Sequence, residues 1–231
     1  MSLHQELSDQ VQKIFGEQWS ERDGTVVPES ESLKLSNDAI NLEATVLYAD
    51  LAESTDLVDG YKKQFAAEIY KTYLYCAAKI IRSQGGIITA YDGDRIMAVF
   101  IGGYKNTSAT KAALKINYAR LDIINPALKK QYPRDDYEIN HVIGVDTSSL
   151  MAARTGIRGS NDIVWVGKAA NHAAKLTSLP HNYATRITSE VYNKLHDEAR
   201  LDANENNMWE RAAWNDQNRI IYRSNHYWGI P

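Results

Sequence analysis

Residues 86–100 read Gly86-Ile87-Ile88-Thr89-Ala90-Tyr91-Asp92-Gly93-Asp94-Arg95-Ile96-Met97-Ala98-Val99-Phe100. Two short β-prone runs flank an Asp-Gly-Asp turn, the signature of a β-hairpin whose tip carries two carboxylates. Upstream, Asp59 to Ser83 sets Phe65, Ile69, Tyr73, Ala77 and Ile80 on one stripe, a helical pattern that Gly85-Gly86 stops. Before it, Ala44-Thr45-Val46-Leu47-Tyr48-Ala49 reads as a short buried strand that ends on Asp50. Downstream, Thr107 to Tyr132 is helical with an interruption at Pro126, and Glu138 to Val145 is a further strand. The order β-α-β-β-α-β is the split βαβ, ferredoxin-like arrangement, an α+β fold with an antiparallel-rich sheet and helices packed on it. That fold hosts many unrelated functions, so it sets a context and assigns no activity.

The flanks fill in the rest. Asp162 to Val166 is a strand, and Ala169 to Leu179 is a helix that ends before Pro180. Ala184 to Thr188 is a strand, Ser189 to Leu195 a helix and Arg219 to Tyr222 a last strand. At the N-terminus, Leu3, Leu7, Val11, Ile14, Phe15 and Trp19 have helical spacing, which predicts a helix over 3–20 that caps the main domain. Glu21 to Asn41 is polar and Ser-rich with no sustained period and reads as a linker or a meandering surface segment. The expected division is therefore 1–41, helix and linker, and 42–231, the main domain with a C-terminal hairpin or dimer-packing extension. The 231 residues, 44% hydrophobic and 24% charged, suit one main core. A net charge of −3 argues against a broadly basic nucleic-acid binder, and the single Cys76 against disulfides or a cysteine-held zinc. No apolar run approaches the roughly 20 residues of a membrane span. The first residues lack the basic and apolar regions of a signal peptide, so a cytoplasmic protein is expected. Fourteen tyrosines and five tryptophans against three phenylalanines are the unusual feature.

Chemistry concentrates at two strand ends. Asp50 closes one strand and Asp94 tips the hairpin that the ferredoxin-like order sets beside it, so the two carboxylates meet. Such a pair repels unless a cation lies between them, and an oxygen-only environment suits Mg²⁺ or Mn²⁺. The loop Leu51-Ala52-Glu53-Ser54-Thr55 leads into a helix, where free backbone amides form a phosphate cradle.

These residues resemble a family. Val46-Leu47-Tyr48-Ala49-Asp50-Leu51-Ala52-Glu53-Ser54-Thr55 is similar to the first metal motif of class III nucleotide cyclases, and Tyr91 to Phe100 to their Gly-Asp hairpin. Ile143-Gly144-Val145-Asp146-Thr147 resembles a later strand of that family. Trp165-Val166-Gly167-Lys168-Ala169-Ala170-Asn171-His172-Ala173-Ala174-Lys175-Leu176 resembles the segment that carries its transition-state residues. Four motifs in family order over about residues 42–190 make the likeness specific. It implies a homodimer with active sites at the interface and two divalent metal ions (Mn²⁺ or Mg²⁺) on Asp50, Asp94 and the Leu51 carbonyl. Ala52, Glu53, Ser54 and Thr55 would bind the triphosphate. Asn171, from the other chain, would orient the ribose, and Lys175 stands where the family usually has Arg, keeping the charge without the bidentate fork.

Base choice is where the chain departs from the family. Ala90 occupies the position of the adenine-reading Lys and of the Glu of guanylate cyclases, and Val164 that of the partner carboxylate or hydroxyl. Both purine readers are missing, and Tyr91 and Arg95 flank the hairpin instead: Tyr91 to fill space, Arg95 to donate to pyrimidine carbonyl oxygens. The combination resembles the stand-alone pyrimidine cyclases of bacterial Pycsar anti-phage systems, whose cyclic UMP or cyclic CMP is read by a separate effector protein. UTP is favoured over CTP, because an Arg donor suits the uracil O4. Three other readings stay open at this point: an adenylate cyclase, a degenerate cyclase fold that binds nucleotide without turnover, and an RNA-binding ferredoxin-like domain, the last disfavoured by the net acidity. Arg154 and Arg158 are candidates for the triphosphate but read first as solvated loop arginines, as does Lys168. The scattered histidines read as structural or surface residues, and Trp209 and Trp214 as packing on the domain or on a partner subunit.

Overall fold

The computed structural model describes residues 1–230 of the chain. In chain order the elements are α1 (Leu3–Gly16), β1 (Ser20–Asp23), β2 (Asp38–Leu51), α2 (Ser54–Gly60), α3 (Lys63–Ser83), β3 (Ile87–Asp92), β4 (Arg95–Phe100), α4 (Lys105–Tyr118) and α5 (Asn125–Gln131). There follow β5 (His141–Ile157), β6 (Ser160–Val166), α6 (Lys168–Thr177), β7 (Thr185–Thr188), α7 (Ser189–Tyr192), α8 (Asp197–Arg200), β8 (Glu210–Trp214) and β9 (Arg219–Ser224). Among the described residues nine strands form one sheet, seven of them in the order β3-β4-β2-β5-β7-β9-β8, with β1 paired to β2 and β6 to β5 beside that path. Its first four members are antiparallel neighbours in the ferredoxin-like order expected from the sequence.

Alternation along the central strands separates two cores. On β2, Leu47, Ala49 and Leu51 face α3 and α4, while Leu42, Ala44 and Val46 face α6. On β4, Ile96, Ala98 and Phe100 join the first core and Met97 and Val99 the second. The same period of two puts Tyr48 and Asp50 on the α6 face. Gly144 of β5 lets α6 lie close to the sheet: a Cβ there would stand 2.2 Å from the Ala173 carbonyl oxygen. Backbone against backbone at that distance admits only glycine.

Several elements differ from expectation. The long helix before the hairpin starts at Lys63, preceded by the separate short α2. Pro126, which has no amide hydrogen, sits at the start of α5, and a π-turn over 119–124 joins it to α4. β5 runs on to Ile157 and folds back as β6, forming a hairpin far longer than the run 138–145 implied. Within the stretch read as a linker, β1 lies parallel on the start of β2, which begins at Asp38. α1 is held through Asn37, whose amide donates to the Ile14 and Glu17 carbonyls at 2.8 and 2.7 Å. It buries none of its residues, so it does not cap the domain. At the other end β8 and β9 make the hairpin that extends the sheet from β7. Trp209 and Trp214 are buried in their own chain, the former donating to the Ala199 carbonyl at 2.8 Å.

Candidate active site

Register brings the two carboxylates together. Asp50 on β2 pairs with Arg95 on β4, and Arg95 pairs across the hairpin with Asp92, leaving Gly93-Asp94 as a two-residue turn at the same end of the sheet. Gly93 has φ +62°, the first-position glycine that a type II′ hairpin turn requires. Burial pushes the Asp50 carboxyl up to about 6, and the negative charge of Asp94 adds to it; Arg95 and a weak 3.4 Å hydrogen bond from the Thr177 hydroxyl pull the other way. Oδ2 of Asp94 is buried with no hydrogen-bond partner. The negative field reaches α3, where burial and then the charge of Asp50 raise the Tyr73 phenol well above its ordinary value.

An orphaned carboxylate oxygen next to a desolvated, like-charged neighbour fits a hard divalent cation. No cluster of three or more His, Cys, Asp or Glu side chains exists among the described residues to hold a metal ion unaided. Two carboxylates and a carbonyl suit a cation that completes its shell with water and phosphate oxygens.

The loop beyond Leu51 is fixed rather than slack. The Ala52 amide donates to the Asn140 carbonyl at 2.9 Å, so it is not free for phosphate. Glu53 adopts the left-handed region, φ 59° and ψ 31°, and no side chain caps α2. Ser54 and Thr55 open that helix, so their amides have no intrahelical acceptor.

Asn171 and Lys175 lie on α6 one turn apart, both exposed. Asn171 borders a cleft of about 280 Å³ walled by Tyr48, Ala90, Asp162, Val164 and Trp165, among others. The two positions of the missing purine readers, Ala90 and Val164, therefore face one cleft, and both are apolar. Neither Asp50 nor Asp94 lines it, nor do Tyr91 and Arg95. Arg95 bonds to Asp92 at 2.9 Å, its register partner across the turn. Tyr91 is 57% exposed, and alternation along β3 turns it away from the face of Ala90. Sequence reasoning missed Tyr48 as a wall of this cleft, although its signal was present: it stands two residues before Asp50 and so shares its face. Thr89 was missed as well; it lines the cleft with a buried hydroxyl that has no partner. Arg154 is structural, donating to Asn161 at 2.7 Å and to the Leu33 carbonyl at 3.2 Å.

No family model matches the chain. Over 232 aligned residues spanning both chains in full, it is 53% identical to a uridylate cyclase of Xanthomonas perforans and 53% identical to one of Burkholderia cepacia. Its fold is that of cyclase domains. The guanylyl cyclase Cya2 superposes with a TM-score of 0.67 at 18% identity, covering 83% of this chain and 95% of that one. The adenylyl cyclase CyaB from P. aeruginosa does so with a TM-score of 0.65 at 17% identity, covering 80% and 95%.

Proposed function

Because the chain belongs to the uridylate cyclase family, we propose that it converts UTP into 3′,5′-cyclic UMP and diphosphate. The observation that carries this reading beyond kinship is the cleft beside Asn171, where apolar Ala90 and Val164 replace the groups a purine would pair with. A donor or acceptor of adenine or guanine left unmatched there loses about 1–3 kcal/mol. Tyr48 and Trp165 give the cleft aromatic walls, and the Thr89 hydroxyl and Asp162 offer partners for the uracil edge.

In the reaction the ribose 3′-hydroxyl gives up its proton to solvent water and its oxygen bonds to the α-phosphorus. The bond from that phosphorus to the bridging oxygen of the β-phosphate breaks, and diphosphate leaves in line. Asn171 orients the ribose, Lys175 sits against the charge that builds on the α-phosphate, and the amides of Glu53, Ser54 and Thr55 receive the phosphate tail. Asp50, Asp94 and the Leu51 carbonyl would hold Mg²⁺ or Mn²⁺, which would supply Lewis-acid activation of the attacking hydroxyl and offset the charge of the triphosphate. The chain itself supplies position and charge rather than covalent chemistry.

Within one chain the lining of the Asn171 cleft includes neither Asp50 nor Asp94. A second copy completes the site, so the active form is a homodimer. Ile87, Ile157, Val164 and Val166, exposed on β3, β5 and β6, offer apolar surface for that pairing. No helix among the described residues is long and apolar enough to cross a membrane. We place the enzyme in the cytoplasm as a source of cyclic UMP for a separate effector in anti-phage defence, the role of the systems that the sequence resembles. The test is incubation with UTP, CTP, ATP or GTP in turn, with Mn²⁺, and identification of the product by mass. Cyclic UMP as the main product supports the reading; cyclic AMP as the main product, or no cyclic product from any triphosphate, overturns it.

A further inference from the structure

The proposed transition-state residues sit on a helix with little to hold its rotation. α6 meets the sheet through Ala169, Ala170, Ala173, Leu176 and Thr177. Over Gly144 the approach is backbone to backbone. Alanines are shallow knobs, so over Ala169, Ala170 and Ala173 packing sets how close the helix lies better than the angle about its axis. Leu176, packed with Trp214 and Ile221, is the one large apolar side chain that resists rotation. Polar ties must supply the rest. At its start the Ala169 amide donates to the Ser148 hydroxyl at 3.0 Å. At its end Thr177 reaches Asp50 only weakly, at 3.4 Å.

Between them, beside Asn171, stands His172. Its Nδ1 lies 2.8 Å from Oδ2 of Asp146 on β5, and the other oxygen of that carboxylate accepts from the Thr188 hydroxyl on β7. Asp146 is 2% exposed, and the imidazole packs edge-on against Trp214 of β8, ring centroids 5.7 Å apart. Two strands, β5 and β8, thus meet one side chain of α6, and β7 holds the carboxylate that engages it. A buried carboxylate with both oxygens engaged has a single satisfied arrangement, and a rotated helix would leave it unpaired in a dry interior.

We propose that Asp146 and His172 are a positioning pair for the cyclisation reaction, locking the rotation of α6 so that Asn171 and Lys175 meet substrate bound across the subunit boundary. This rests on the cyclase reading. The pair touches neither substrate nor reacting atoms; it acts through the neighbouring Asn171. The bond runs through Nδ1, a position that the amide nitrogen of asparagine reproduces and that of glutamine does not. The test compares His172→Ala, His172→Asn and His172→Gln in the full-length protein, by steady-state kinetics with UTP and by amide hydrogen exchange along α6. Displacing a positioned group by about 1 Å costs about 100-fold in rate. His172→Ala and His172→Gln are therefore expected to lower kcat by about 10- to 100-fold. KM is expected to stay within about twofold, since the interaction is made in the transition state. Exchange over 170–176 should speed up in both, and His172→Asn should restore most of the rate and the protection. Wild-type kcat in His172→Ala, or equal activities of the Asn and Gln variants, overturns the positioning role. If His172→Ala does not fold, the Asn and Gln pair alone decides. A wild-type protein that cyclises no triphosphate sinks the cyclase reading instead, a result distinct from an active wild type with an indifferent His172.

Discussion

Replacing Asp50 with asparagine removes a charge that the metal-free fold accommodates badly, so Asp50→Asn is expected to stabilise the protein while destroying its activity. Burial, with the charge of Asp94 behind it, raises the carboxyl from 3.8 to about 6. At about 1.4 kcal/mol per tenfold this is about 3 kcal/mol, which solvent around a half-buried group screens to about 1.5 kcal/mol. A carboxyl raised in the folded state contributes stability that is complete below 3.8 and lost as pH rises through about 6. Above pH 7 the wild type has lost all of it, and the uncharged asparagine never titrates. For a chain of this length, 1.5 kcal/mol moves Tm by about 3–6 °C. The assay is thermal unfolding of both proteins in chelator from pH 4.5 to pH 8. Asp50→Asn should melt about 3–6 °C higher at pH 8, and the gap should shrink steadily below pH 6. Saturating Mn²⁺ should raise the wild type more than the variant. A gap that is absent, reversed or independent of pH would refute the placement of two desolvated carboxylates at one point.

Other expectations follow from separate parts of the fold. Gly144→Ala drives a Cβ into the Ala173 carbonyl and is expected to cost about 1–3 kcal/mol in denaturant unfolding, with kcat falling as α6 is pushed off the sheet. Trp209→Ala empties a buried site and leaves the Ala199 carbonyl without its donor; a loss of about 3–5 kcal/mol is expected, and a loss below 1 kcal/mol would mean that the tryptophan is not core. Ala90→Lys with Val164→Asp restores a polar pair to the cleft, so the ratio of ATP to UTP turnover should rise at least about tenfold in a competition assay. An unchanged ratio would show that the base does not bind there.

The split βαβ order was legible because hydrophobic period, turn glycines and element lengths all agreed from Ala44 to Val145. The meeting of Asp50 and Asp94 followed from that order, since the pairing of β2 with β4 sets the register once the two-residue turn is known. Tyr91 and Arg95 were placed less well, because proximity in sequence to Asp94 says nothing about which side of a strand a residue takes. Counting by twos from Asp50 would have directed attention to Tyr48, whereas Thr89 joins Ala90 in the cleft through the register shift between Ile88 and Ala90, which no alternation shows. β6 was read as a strand over 162–166, but β1 and the extension of β5 to Ile157 that pairs with β6 were not legible. The strand Ser20–Asp23 is polar and exposed throughout, and the far end of β5, residues 154–157, is largely exposed, so neither shows a buried alternation. α1 had the periodicity of a packed helix, yet Leu3, Leu7, Val11 and Ile14 remain exposed on a single chain. Periodicity reports an apolar face and does not name what covers it.

Mixing two inactive proteins tests most directly whether one chain carries two complementary halves of a UTP-cyclising site. Asp50→Ala removes the acidic half and Asn171→Ala the ribose-orienting half, and each alone should make no cyclic UMP. Unfolded together and refolded at equal concentration, they should recover about a quarter of wild-type activity, because half the twofold dimers pair unlike chains and each of these holds one intact site. Activity in either variant alone, or no recovery on mixing, would contradict the composite site and the cyclase mechanism built on it.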